Sequence, residues 1–137
     1  MKIAFHSEKI RFKPGQRRRL KKWICRYIRL HSKIPGKLNF IFTSNDHLRK
    51  INREFLKHNH FTDVITFDYT EEKVITGDVF ISIDQVRENA CRYEVGFEEE
   101  LRRVMIHGVL HLIGYEDRSC EEKEHMRKME DDALNLW

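Results

Sequence analysis

A mixed sheet of about four strands flanked by helices, in a single α+β domain, is the fold class this sequence predicts. Two kinds of apolar pattern lead there: some segments repeat at helical spacing, and others are short runs of aromatic and β-branched residues. The two prolines, Pro14 and Pro35, each stand before a glycine in a short connection, and no linker, repeat or low-complexity tract interrupts the chain. Residues 1–137 therefore read as one domain, long enough to bury a core without disulfides as its main support.

In order, Met1 to Phe5 reads as a short strand. Pro14-Gly15 turns into a helix whose apolar positions Leu20, Trp23, Ile24, Tyr27 and Ile28 share one face. Pro35-Gly36 closes the next connection, and residues 37–42 read as a strand. Thr43, Ser44 or Asn45 caps a second helix running to about Leu56. Residues 64–67 and 77–83 read as two further strands around a polar turn at Glu71 and Glu72. Asp84 to Tyr93 is predicted helical, Gly96 breaks the pattern, and Phe97 to Leu112 is a helix turning Leu101, Val104, Met105 and Val109 to the core. A last helix follows Ser119, which with Glu122 has the spacing of a capping box.

Charge divides the chain. Between Arg11 and Arg29 stand nine basic residues and no acid, whereas Glu121, Glu122, Glu124, Glu130, Asp131 and Asp132 make the tail acidic. The net charge of +4 is thus polarised, with one face suited to a polyanion. The helix from Arg17 to Arg29 is either an RNA-phosphate contact or an ordinary solvated face. No stretch approaches the roughly 20 apolar residues of a membrane span. The N-terminus has no secretory pattern, so a cytoplasmic protein is expected. Cys25, Cys91 and Cys120, widely spaced and without a Cys-x-x-Cys pair, read as reduced thiols.

The chemistry concentrates near the C-terminus. His107 and His111 lie four apart on the same helix face, a separation one first-row metal ion can bridge. Gly114 lets the helix stop, and Asp117 follows three residues later as a third ligand. Two imidazoles and a carboxylate suit one Zn²⁺ and leave a position for water, as in catalytic sites. Metzincin-type proteases share these spacings but carry a glutamate general base after the first histidine. Here that position is Gly108, which makes a metallopeptidase a minority reading.

The segment from His107 through Gly114 and Tyr115 to Glu116 and Asp117 resembles the hallmark His-Gly-x-Leu-His-Leu-x-Gly-Tyr-Asp-His of the bacterial YbeY family of endoribonucleases, also called rRNA maturation factors. Ile51-Asn52 to Phe55, Thr62-Asp63-Val64-Ile65-Thr66-Phe67 and residues 77–82 are similar to further family blocks, in the family's order. The resemblance implies a metal-dependent hydrolase acting on RNA, with a part in small-subunit rRNA 3′-end maturation and ribosome quality control. It also implies a helix-flanked four-stranded sheet. The chain departs from the pattern in four places. Asp117 stands for the third histidine and Glu116 for the family's aspartate. Leu56 replaces an arginine, with Lys57 or Arg53 as substitute phosphate contacts, and Thr66-Phe67-Asp68 replaces Ser-Phe-Pro.

The first expectation is therefore a zinc-dependent endoribonuclease. His107, His111 and Asp117 hold the ion, and Arg53 and Lys57 are candidate catalytic and substrate-binding cations. RNA, ribosomal RNA and the small ribosomal subunit are the expected partners, and no membrane is involved. No sequence feature identifies a general base. The alternative is a non-catalytic ribosome-assembly protein with a structural metal. His58 and His60 read as surface histidines, with approach to substrate or metal as the other possibility. His6, His31, His47 and His125 read as structural or exposed. Asp63 and Asp78 are explained by Asx-turn chemistry, with a place on the site's rim as the other reading.

Overall fold

The structure, a computed structural model, describes residues 2–55 and 62–137. Its elements are β1 (Ile3–Ser7), α1 (Arg17–Leu30), β2 (Ile34–Thr43), α2 (Asn45–Phe55), β3 (Val64–Asp68), β4 (Val74–Ser82), α3 (Ile83–Arg92), α4 (Phe97–Ile113) and α5 (Cys120–Asn135). The four strands form one mixed sheet in the order β1-β2-β4-β3: β1 and β4 run parallel to β2, and β3 pairs antiparallel with β4.

The side-chain alternation of the strands decides where the helices go. Leu38, Phe40 and Phe42 of β2 with Val79 and Ile81 of β4 are buried in one core with Ile24 and Ile28 of α1 and Met105, Ile106 and Val109 of α4. Ile65 of β3 joins Leu48 and Ile51 of α2 in a separate, smaller cluster. The predicted stripe of α1 is the buried one, with Cys25 added to it.

The same stripe also fixes α5. Trp23 donates its indole N–H to Ala133 O at 2.8 Å, and Tyr27 donates its hydroxyl to Met129 O at 3.1 Å. These bonds set the rotation of α5 at the turn that carries Glu130. The capping box at the start of α5 forms in full: Glu122 N–H donates to Ser119 Oγ at 3.1 Å, and Ser119 N–H donates to Glu122 Oε1 at 2.9 Å.

One boundary differs in kind from the sequence expectation. Pro35-Gly36 lies within β2 and does not end a connection, because the pairing with β4 shifts register between Pro35 and Leu38. Proline is tolerated in a strand at such an irregularity. At Gly36 a Cβ would lie 2.4 Å from Thr76 Oγ1 and 2.8 Å from Ile75 O, so the close approach of the two strands requires glycine. The other boundaries move by a few residues, most at β1 and β4, which begin at Ile3 and Val74.

Candidate metal centre

α4 is pressed against the sheet at Gly108, where a Cβ would lie 2.6 Å from Val79 Cγ1. That contact turns the neighbouring His107, and His111 one turn later, towards the open side of the helix. Position 108 faces β4, so a carboxylate there would enter the core and not the cleft. The helix then stops in a Schellman motif: Tyr115 N–H donates to Leu110 O at 3.0 Å and Gly114 N–H to His111 O at 3.1 Å, with Gly114 at φ +122°. The reversal brings Asp117 back over the two imidazoles.

His107 Nε2 and His111 Nε2 are 3.0 Å apart, and Asp117 Oδ2 lies 3.2 Å from the first and 3.6 Å from the second. A tetrahedral zinc ion with ligands at ~2.0–2.1 Å spaces them by roughly 3.3–3.4 Å. The three atoms therefore have the separations of ligands around one ion.

The chemistry of the far side of each ring agrees. His111 Nδ1 is 3.0 Å from Tyr115 O, a carbonyl that only accepts, so Nδ1–H is the donor. His107 Nδ1 is 2.7 Å from Glu130 Oε2, and a carboxylate there likewise fixes Nδ1–H as donor. In the neutral rings both Nε2 atoms then carry bare lone pairs, aimed at each other and at a carboxylate. Such a group repels itself unless a cation sits in it, and the donor set is the one Zn²⁺ takes. Glu116 is not part of it and lies 3.6 Å from Arg118 Nε.

Behind His107 a chain of charge runs into the protein. Glu130, only 5% exposed, also accepts from Arg103 Nη1 at 2.9 Å, and Arg103 Nη2 donates to Asp131 at 2.6 Å. Burial pushes the His107 pKa down, but Glu130, Asp63 and Asp117 together lift it above the ordinary value. Burial raises the pKa of Asp63, which accepts from Asn89 Nδ2 at 3.3 Å, and it raises that of Glu100, near the same amide at 3.5 Å. Asp63, Asn89, Glu100, Arg103, His107 and Glu130 line an inner pocket of about 260 Å³. The outer side is a groove of about 560 Å³, bounded by β3 and by His107, His111, Asp117 and Arg118.

A family model described as Endoribonuclease YbeY matches residues 2–137. The chain belongs to the YbeY family. The Endoribonuclease YbeY of Flavobacterium psychrophilum is 44% identical over 135 residues, covering 98% of this chain and 96% of the relative. That of Parabacteroides distasonis is 40% identical over 136 residues, covering 99% and 96%. The solution structure of a protein from Thermotoga maritima superimposes with a TM-score of 0.66 at 30% identity, covering 98% of this chain and 91% of that one.

The structure brings together the YbeY motif residues His107, His111 and Asp117 and leaves Arg53 apart. Arg53 is exposed in the last turn of α2 and lines neither the inner pocket nor the outer groove. Leu56, Lys57, His58 and His60 lie outside the described residues. Asp63 is no simple turn residue, since its side chain reaches Asn89 and faces both pocket and groove. Asp78 accepts from Asn39 Nδ2 at 3.0 Å across the sheet. His6 meets Asn39, His47 meets Glu8, and His31 and His125 pack against Tyr115, the residue whose carbonyl holds His111.

Sequence reasoning missed Glu130 and Arg118 as site residues, and for Asp63 the rim position, weighed second to a turn role, is where the structure puts it. Arg118 follows a ligand directly, and that adjacency was the one available signal. The YbeY-pattern proline that Asp68 replaces falls where the backbone N–H points away from β4, so the ladder tolerates either residue, and Asp68 adds a side-chain bond by accepting from Thr70 N–H at 2.9 Å.

Proposed function

We propose that residues 1–137 act as one hydrolase domain, a zinc-dependent endoribonuclease that cuts single-stranded RNA. Its work is maturation of the small-subunit rRNA 3′ end and quality control of the ribosome, in the cytoplasm. The observation that carries this reading is the convergence of His107 Nε2, His111 Nε2 and Asp117 Oδ2, with both Nδ1 atoms already committed as donors.

His107, His111 and Asp117 would hold the ion, which supplies Lewis acidity to a phosphoryl oxygen or to water at neutral pH. The protein's own groups do the remainder. Glu130 and the Tyr115 carbonyl keep each imidazole in one tautomer and one orientation. Arg103 holds Glu130 in place through its Nη1 donor. Arg118, on the rim of the groove, meets phosphate, which neutralises charge as a bond is cut. Asp63, facing the groove with a raised pKa, is the carboxyl group placed to hold or move a proton there.

Cleavage of a single-stranded RNA, with and without chelator and then with zinc restored, tests the proposal. The expected result is cleavage that stops with chelator and returns with zinc, while RNA is still bound by the metal-free protein. A protein that melts on chelation and never cuts RNA is the assembly factor with a structural metal. Chelator-sensitive digestion of casein would restore the peptidase.

A further inference from the structure

Among the described residues no strand pairs with the outer edge of β3. The phase of its ladder tells which backbone groups lie there. Ser82 N–H donates to Asp63 O at 3.0 Å and Tyr69 N–H donates to Thr76 O at 2.9 Å, with Val64 opposite Ile81 and Asp68 opposite Gly77 between them. In an antiparallel pair, residues alternate between exchanging both hydrogen bonds and exchanging none. Asp63, Ile65, Phe67 and Tyr69 therefore turn their N–H and C=O to β4, and Val64, Thr66 and Asp68 turn theirs outward. The Val64 carbonyl accepts from the Thr62 hydroxyl at 3.3 Å. Among the described residues nothing meets the backbone of Thr66, which offers both a donor and an acceptor at the edge.

That edge is one wall of the outer groove, and His107, His111 and Asp117 lie on the other with Arg118. The Arg118 side chain is 86% exposed, and its ion-pair partner, Glu116, is 3.6 Å away. A chain lying in the groove thus meets an amide donor and a carbonyl acceptor on one side and a planar cation on the other. An RNA backbone answers all three, because phosphate oxygens accept and the 2′-hydroxyl donates. DNA lacks the hydroxyl. A peptide can add to the edge as a strand but answers the cation only if it is acidic.

We propose that the outer edge of β3 and Arg118 form a track holding the sugar–phosphate backbone of single-stranded RNA across His107, His111 and Asp117. In it Thr66 N–H meets a phosphate and Thr66 C=O meets a 2′-hydroxyl. The track rests on the endoribonuclease reading for its ligand, but its test reads binding and not cleavage, so either can fail alone.

Thr66→Pro removes the outward donor and spares the ladder, since an edge strand tolerates proline where its N–H faces away from its neighbour. Binding of a short fluorescent single-stranded RNA to the metal-loaded protein is measured for wild type, Thr66→Pro and Arg118→Ala, with metal content and melting recorded alongside. About tenfold weaker RNA binding is expected in each variant at unchanged metal content, as for loss of one hydrogen bond to a charged group. For Arg118→Ala the salt dependence should also become shallower by about one phosphate contact. Arg118→Lys should recover part of the loss. If Thr66→Pro melts early, Arg118→Ala decides. RNA binding unchanged in Arg118→Ala overturns the track. So does a Thr66→Pro protein that loses an extended acidic peptide while binding RNA normally.

Discussion

The corner between α4 and α5 and the outer face of α1 both carry dense charge, and they arrange it in opposite ways. At the corner Asp131, Arg103, Glu130 and His107 form one chain, each link 2.9 Å or shorter, ending at the three-atom group. On α1, Arg17, Arg18, Arg19, Lys22, Arg26 and Arg29 are spread over solvent with no acid in the first turn. Of these, Arg19 is held by the Trp137 carbonyl and stacks on its ring at 4.0 Å. Converging charge fixes atoms for chemistry and makes each member costly to remove. Dispersed charge favours association, with each member worth little and screened by salt.

The steepest contrast is expected at Glu130. Glu130→Gln leaves the shape of the corner and removes the charge that orients His107. Metal affinity, read by titration with a competing chelator, should fall about 10- to 100-fold. An unchanged affinity would reduce the corner to packing. Gly108→Ala tests the seat of the same helix: the added Cβ forces Val79 aside, and melting should report a loss of about 1–3 kcal/mol.

Acidity separates the regions next. The folded-state pKa of His107 is raised, so in metal-free protein its contribution to stability is full below the ordinary 6.5 and is lost as pH rises through the raised value. Asp63 and Glu100 have the same sign in a lower window: their raised values mean that stability falls as pH rises past 3.8 and 4.5. Metal binding runs the other way, because a proton on His107 competes with the ion, which leaves as pH falls. Melting curves across this range, with and without zinc, should therefore slope in opposite directions. The smallest effect belongs to Arg18→Ala or Lys22→Ala, which should change melting by less than about 0.5 kcal/mol and metal content not at all. If α1 touches RNA, each should lower the salt slope of binding by about one.

The two regions were also unequally legible. His107, His111 and Asp117 could be read because a helix period and a glycine stop fix their relation within a few residues, and the stripe of α1 and the Ser119 capping box follow the same local rules. Glu130 lies 23 residues from His107 and meets it only because Trp23 and Tyr27 anchor α5 in one rotation. Asp63 depends on β3 taking the edge of the sheet, a fact of strand order that no periodicity contains. Pro35-Gly36 misled for a related reason: a turn signature and a register shift in a parallel pair use the same two residues, and only the partner strand distinguishes them.

Metal content by elemental analysis, paired with RNA cleavage by the same samples of wild type and Asp117→Ala, tests the central claim most directly. About one zinc per wild-type chain, with ion and cleavage lost together in the variant, is the predicted result. An Asp117→Ala protein that cleaves as well as wild type, or a wild type that holds no ion when purified without chelator and still cuts RNA, would contradict it.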